Sequence, residues 1–241
     1  MMTATQARLT PESLTAITAQ VRPFTMAPDL AVHFTAMEAV RLIAAGIPGV
    51  LVECGTWRGG CSIAMLLAQQ AVFGQVVRPV HLLDSSAGLP PAADRDGFLA
   101  RQWQSETDSP GYHDNCTVSQ EQLLTDITAL GFSEGEYFVH PGWFADTLPP
   151  LAAQLGETPI ALLRLDGDWY DSTLVCLRHL ESHVAVEGTV LIDDYYAWDG
   201  CARAVHDYFS EGDYAYRIKS LAGFCGAYFT KRAARDAFES I

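Results

Sequence analysis

A doubly wound α/β fold, mainly parallel with an antiparallel finish, is predicted by three features of this 241-residue chain. Apolar runs recur and end in acids: GVLVE from Gly49, VHLLD from Val80, IALLRLD from Ile160 and TVLIDD from Thr189. Turn residues and a helix-like segment follow each run, as in a parallel sheet whose strands are buried on both faces. Two late extended runs, 214–219 and 226–231, lie close together across a glycine-containing connection and predict an antiparallel hairpin. The acids therefore gather at the carboxyl ends of the strands, the rim where open α/β sheets bind ligands.

Residues 1–10 are small and polar and are expected to fray. Thr10-Pro11-Glu12 reads as a helix start with Thr10 as N-cap, and an amphipathic helix is expected over 29–45, stopped by Gly46. Residues 1–46 form a helical extension that covers the site or mediates a dimer, and 47–241 form the main domain. Strand 49–54, helix 60–73 and strand 80–84 follow. Over 87–116 the pattern dissolves into Gly, Pro, Asp and Ser with scattered Phe98, Trp103 and Tyr112. This reads either as a lid or acceptor loop that orders with ligand, or as a surface insertion. Helix 119–130 stops at Gly131, strand 137–140 comes next, and a short helical turn is expected around 145–148. Strand 160–166, helix 172–183, strand 189–193 and helix 200–209 complete the wound core. Seven strands with an antiparallel finish make the Rossmann-like sheet of class I methyltransferases, since a plain dinucleotide-binding fold would stay parallel.

A formal charge of −14 argues against a phosphate-backbone partner, which needs clustered Lys and Arg. The six cysteines show no CxxC pair, and the N-terminus lacks a basic segment followed by an apolar core. No uninterrupted apolar stretch is long enough to span a bilayer. A cytoplasmic protein with reduced thiols is expected, with no membrane partner and no nucleic-acid partner.

Glu53-Cys54-Gly55-Thr56-Trp57-Arg58-Gly59-Gly60 occupies a strand-to-helix turn where a nucleotide-like ligand meets a helix N-terminus. Gly55 and Gly59 let the backbone come close to a ligand, or serve only the turn. The spacing is neither GxGxxG nor a P-loop. A glutamate facing the pocket would repel a pyrophosphate and favour a ligand bearing an ammonium group, as S-adenosylmethionine does. Asp84 can accept both hydroxyls of a ribose, or can cap the next segment with Ser85 and Ser86. Asp166-Gly167-Asp168 and Asp193-Asp194 bring carboxylates to one rim, where they would repel one another unless a hard cation such as Mg2+ or Ca2+ neutralised them. Strand alternation points Asp193 and Asp194 to opposite faces, so both reach one ion only if the chain turns out of the strand. The alternative is solvated turn acids that cap helices. A bound cation would acidify an acceptor hydroxyl, and Asp166 or His140 could take its proton. His140 could equally be structural. Gly142-Trp143 at the third strand's rim could meet an adenine, or Trp143 could cover the core. Trp57, Trp169, Tyr195, Tyr196 and Trp198 either line the acceptor pocket or pack on the sheet.

With these residues assembled, the chain resembles the TylF-type macrocin O-methyltransferases over residues 49–209. VECGTWRGG is similar to the family's glycine turn, GWFADTLP to its third-strand motif, RLDGDWYDST to its first metal segment and LIDDYYAWDGCARAV to its second. The resemblance implies Mg2+ held by Asp166, Asp193 and Asp194, with Asp166 as general base. It further implies S-adenosylmethionine contacted by Glu53, Gly55, Thr56, Trp57, Gly59, Asp84, Ser85, Gly142, Trp143 and Asp166. The acceptor would be a sugar or phenol hydroxyl of a natural product, and the protein a homo-oligomer, dimer or higher. Ser85-Ser86-Ala87 departs from the aromatic and acid usual there. Two other readings stay open: an adenosine-cofactor oxidoreductase, which leaves the Asp166, Asp193 and Asp194 grouping idle, and an inactive binding subunit.

Overall fold

The computed structural model describes residues 8–212, 214, 216–220 and 223–233. Its seven-stranded sheet has the order β3-β2-β1-β4-β5-β7-β6, built from β1 (Val50–Cys54), β2 (Val80–Asp84), β3 (Tyr137–Pro141), β4 (Ile160–Leu165), β5 (Val184–Ile192), β6 (Lys219–Ser220) and β7 (Ala227–Thr230). The first five strands are mutually parallel, and β7 enters antiparallel between β5 and β6. That antiparallel insertion is the methyltransferase arrangement expected from the sequence.

Strand alternation divides the core into two layers. Leu51, Leu82, Leu162 and Leu191 face one side, under α1 (Pro11–Val21), α2 (Asp29–Ala44) and α3 (Gly60–Phe73). Val52, Leu83, Leu163 and Ile192 face the other, under α6 (Phe144–Leu155), α7 (Tyr170–Leu180) and α8 (Asp199–Ser210). Each fully buried Leu, Ile or Val contributes roughly 1.5–3 kcal/mol, so the register is strongly held.

Several expected elements lie where the sequence put them. Thr10 caps α1 by accepting from the Ser13 amide, and Pro11 occupies its first turn. Ser119 caps α5 (Gln120–Ala129) in the same way. Other elements differ. Residues 87–116 are not pattern-free, because a 3-10 turn at Asp94–Asp96 leads into α4 (Gly97–Ser105). The turn expected at 145–148 is the start of a three-turn helix, α6. Pro149 and Pro150 interrupt its hydrogen bonding, but Leu148, Leu151 and Leu155 are buried and hold the helix against the sheet. Strand β5 begins earlier than expected, at Val184, with a register irregularity relative to β4 and Glu187 in left-handed backbone. The expected 214–219 strand contributes only Lys219 to β6, and residue 215 lies outside the described residues.

The helical extension reaches the site. Between α1 and α2, Phe24 and Thr25 lie so close to Gly60 that a Cβ there would meet Thr25 at 2.4 Å, and Met26 lines the main cleft. Among the described residues no helix is long and apolar enough to cross a membrane.

Candidate active site

A cleft of about 550 Å³ opens over the carboxyl ends of β1, β2 and β4. Gly55 and Trp57 after β1, Asp84 and Ser85 at the end of β2, and Trp143 at the start of α6 form one wall. Asp166, Gly167 and Asp168 after β4 form its floor, while Leu89, Pro90 and Cys116 close it from the 87–116 excursion. It continues along α7 past Ser172 and Val175 to His179.

Asp84 organises the glycine turn. Its Oδ2 accepts from the Thr56 and Trp57 amides at 3.0 and 2.8 Å, and its Oδ1 from the Ser86 amide at 2.8 Å. Oδ1, with a single donor, retains accepting capacity for a ligand hydroxyl, whereas Oδ2 is filled by its two amides. Burial nonetheless pushes the Asp84 carboxyl upward, against the lowering effect of those amides. Trp57 holds left-handed backbone at φ 46°, and its indole Nε1 is buried with no partner. A strained residue with an unpartnered buried donor in a cleft wall is a common feature of ligand-binding turns. Gly55 has a different reason from the expected one. A Cβ there would lie 1.7 Å from the Asp166 carbonyl oxygen, so the glycine is required by the neighbouring strand end and not by ligand space. Gly59 caps α3 beside Leu123, and Gly142 follows β3, its amide donating to the Asp84 carbonyl. Neither glycine lines the cleft, whereas Trp143 does and is 43% exposed.

Glu53 does not face the pocket. It lies opposite Arg164 in the β1–β4 register, is 1% exposed, and accepts from Arg164 at 2.8 Å and from the Ser62 hydroxyl. Glu53 shares its sheet face with Leu51, the side covered by α3, which carries Ser62. Burial raises its carboxyl to about 7 in spite of the adjacent guanidinium.

The carboxylates that converge are Asp166, Asp168 and Asp194, whose ligand atoms all lie within 4.8 Å of one another. The expected trio of Asp166, Asp193 and Asp194 is thus not the one brought together. Asp193, on the same parity as Leu191, turns under the sheet end and pairs with Arg164, while Asp194 turns toward Asp168 and accepts from its amide at 3.2 Å. Asp168 stands in left-handed backbone at φ 57° and is held by the Trp198 indole N–H at 2.9 Å. Burial, and then crowding by neighbouring carboxylates, pushes Asp168 up to about 7 and drives Asp193 and Asp194 well above the usual carboxylate range. Such mutual repulsion and an all-oxygen donor set fit a hard divalent cation.

His140 lies away from these groups. Its Nε2 is 3.0 Å from His81 Nδ1, the rings stack, and it does not line the cleft. Desolvation lowers both imidazoles, His81 to about 4, so the pair is neutral near pH 7. Of the two proton acceptors expected from the sequence, Asp166 lines the cleft and His140 does not.

Sequence reasoning did not single out Arg164, although a charged residue inside the apolar run IALLRLD was a visible signal. It placed Asp168 in the acidic cluster but not among the three expected ligands. Trp169 and Trp198 pack edge-to-face at 5.2 Å, and Trp103 of α4 completes the aromatic group at 6.2 Å from each.

The sequence model of the macrocin-O-methyltransferase (TylF) family matches residues 26–231. A tetracenomycin-type rhamnosyl 4'-O-methyltransferase from Streptomyces olivaceus is 38% identical over 69% of the chain and 60% of its own length. Demethyldecarbamoylnovobiocin O-methyltransferase from Streptomyces niveus is 34% identical over 72% and 63%, respectively. The chain therefore spans about three fifths of these curated relatives. Among solved structures, the O-methyltransferase NovP superposes with a TM-score of 0.73 at 29% identity, covering 87% of this chain and 83% of its own. The calicheamicin methyltransferase CalS11, with a TM-score of 0.64 at 18% identity over 95% of this chain and 96% of its own, shares the fold.

Proposed function

Because the chain belongs to the macrocin-O-methyltransferase (TylF) family, we propose that it is an S-adenosylmethionine-dependent O-methyltransferase that uses Mg2+ to methylate a sugar or phenol hydroxyl of a small-molecule natural product. The observation that carries this reading is the convergence of Asp166, Asp168 and Asp194, the first two of which line the cleft that also holds the Asp84-anchored glycine turn. When bound, S-adenosylmethionine supplies a methyl group on a sulfonium, and Mg2+ acidifies a coordinated hydroxyl.

The chain's own residues do the rest. Asp84 and Ser85 meet the ribose, Trp57 offers its unpaired indole N–H, and Trp143 covers the adenine side. Asp166, Asp168 and Asp194 hold the metal. Asp166 accepts the proton as the acceptor oxygen gains the methyl group, and the fixed geometry keeps that oxygen in line. The excursion, anchored by Trp103, excludes water from the acceptor end. The acceptor of the Streptomyces olivaceus relative is by name a rhamnosyl tetracenomycin, which favours a glycosylated acceptor here. An oxidoreductase reading leaves the carboxylate cluster without work.

Purified protein incubated with methyl-labelled S-adenosylmethionine and a panel of glycosylated and phenolic acceptors tests the proposal. Label should pass to an acceptor hydroxyl, stop with a chelator and return with Mg2+. Transfer that persists in chelator would remove the metal from the mechanism, and failure across the panel would point to the inactive binding subunit.

A further inference from the structure

We infer that Arg164 is a positioning residue whose guanidinium shares Asp166 with the divalent ion and so sets how tightly that ion is held. The inference rests on the metal reading above. Arg164 is fully buried in the middle strand of the sheet, directly beneath the carboxylate cluster. Its Nη1 donates to Glu53 Oε1 at 2.8 Å and to Asp166 Oδ2 at 2.5 Å, its Nη2 donates to Asp193, and its Nε is buried with no partner. An incompletely bonded guanidinium in a hydrophobic sheet is held there by the anions around it. It spans three carboxylates on three neighbouring strand ends, of which one, Asp166, also belongs to the converging group. Protein cation and metal ion thus draw on the same carboxylate, and each weakens the hold of the other.

Glu53 stands on the far side of that balance. It partners Arg164 but lies outside the converging group and outside the cleft, so its charge offsets the guanidinium without offering a ligand. Removing the positive charge should therefore tighten metal binding, and removing the Glu53 charge should loosen it. A purely architectural role would weaken binding in both cases, because both changes disturb the same buried network.

The test is calorimetric titration of Mg2+ alone into the full chain, wild type and variants, with melting temperature followed in parallel. Arg164→Gln should lower the metal-free melting temperature and lower the Mg2+ Kd about tenfold, while Arg164→Lys should return the Kd toward wild type; Glu53→Gln should raise it about tenfold, ~1.4 kcal/mol. Shifts of the same sign in Arg164→Gln and Glu53→Gln, or none, would overturn the inference while wild-type binding stands. Should Arg164→Gln fail to fold, a Glu53→Gln Kd that is unchanged or lower overturns it. Absence of binding in wild type would instead overturn the metal reading itself, and this inference with it.

Discussion

Asp166, Asp168 and Asp194 are up to 28 residues apart in sequence, yet their oxygens lie within 4.8 Å of one another. Asp194→Asn removes one charge of this group without touching the glycine turn. Turnover should fall by about 10²–10⁴-fold, the span that a positioned acid–base or electrostatic group supplies, while S-adenosylhomocysteine affinity stays within about threefold. Calorimetry alongside labelled-methyl transfer checks both. His140→Gln is the contrasting case. With its imidazole engaged by His81 off the cleft, turnover should remain within a few-fold of wild type, and a 100-fold loss would restore it as a candidate base. The sequence revealed the acids because each closes an apolar run, a pattern tied to the strand ends. It did not reveal which oxygens face one another. Alternation sends Glu53, Arg164 and Asp193 to the α3 face, and the pairing that follows depends on the β1–β4 register, which a linear reading does not contain. That is why Glu53 was expected in the pocket and lies beneath it.

At the level of elements, the β1–α3 turn and the 87–116 excursion both line the cleft. Gly55 has φ 89°, and a side chain there would collide with the Asp166 carbonyl, so Gly55→Ala should destabilise the fold by more than the ~1–3 kcal/mol of a strained residue. Thermal or urea unfolding measures this directly. The excursion is fastened by Asp96, whose Oδ1 accepts from the Tyr170 amide at 2.7 Å, and by close approach to Gly200, where a Cβ would meet Asp96 Oδ1 at 2.5 Å. Trp103 adds edge-to-face contacts with Trp169 and Trp198. Trp103→Ala removes two such pairs, worth about 0.5–1.5 kcal/mol each, and should raise hydrogen exchange across 87–116 and the acceptor KM, with kcat less affected. Helix α4 was not legible because its apolar residues Phe98 and Leu99 are exposed, at 68% and 57%, and only Ala100 is buried, so no inward stripe marks it. Helix α6 was shortened by its prolines, although Leu148, Leu151 and Leu155 keep a helical spacing. The parallel strands, buried on both faces, were the most legible because burial itself is what makes them continuous apolar runs.

Across the molecule, a net charge of −14 is concentrated in part on one buried group of carboxylates, with Arg164 as the cation that touches them. The raised carboxyls give stability a definite pH dependence. Asp168 moves from 3.8 to about 7 on folding and Glu53 from 4.5 to about 7, so between those limits the folded state binds more protons than the unfolded state. Stability of the metal-free protein should therefore fall as pH rises from about 4 to about 7 through these groups. Mg2+ would remove the Asp168 part of that penalty by binding the ionised form, so its effect on melting temperature should grow from pH 5 to pH 8. A constant metal effect across that range would show that Asp168 is not engaged. The most direct measurement is calorimetric titration of Mg2+ into wild type and Asp194→Asn at pH 8 in the presence of S-adenosylhomocysteine. About one ion should bind per wild-type chain, with binding lost or weakened more than tenfold in the variant; equal binding by the two proteins, or none by either, would contradict a metal centre built on these three carboxylates.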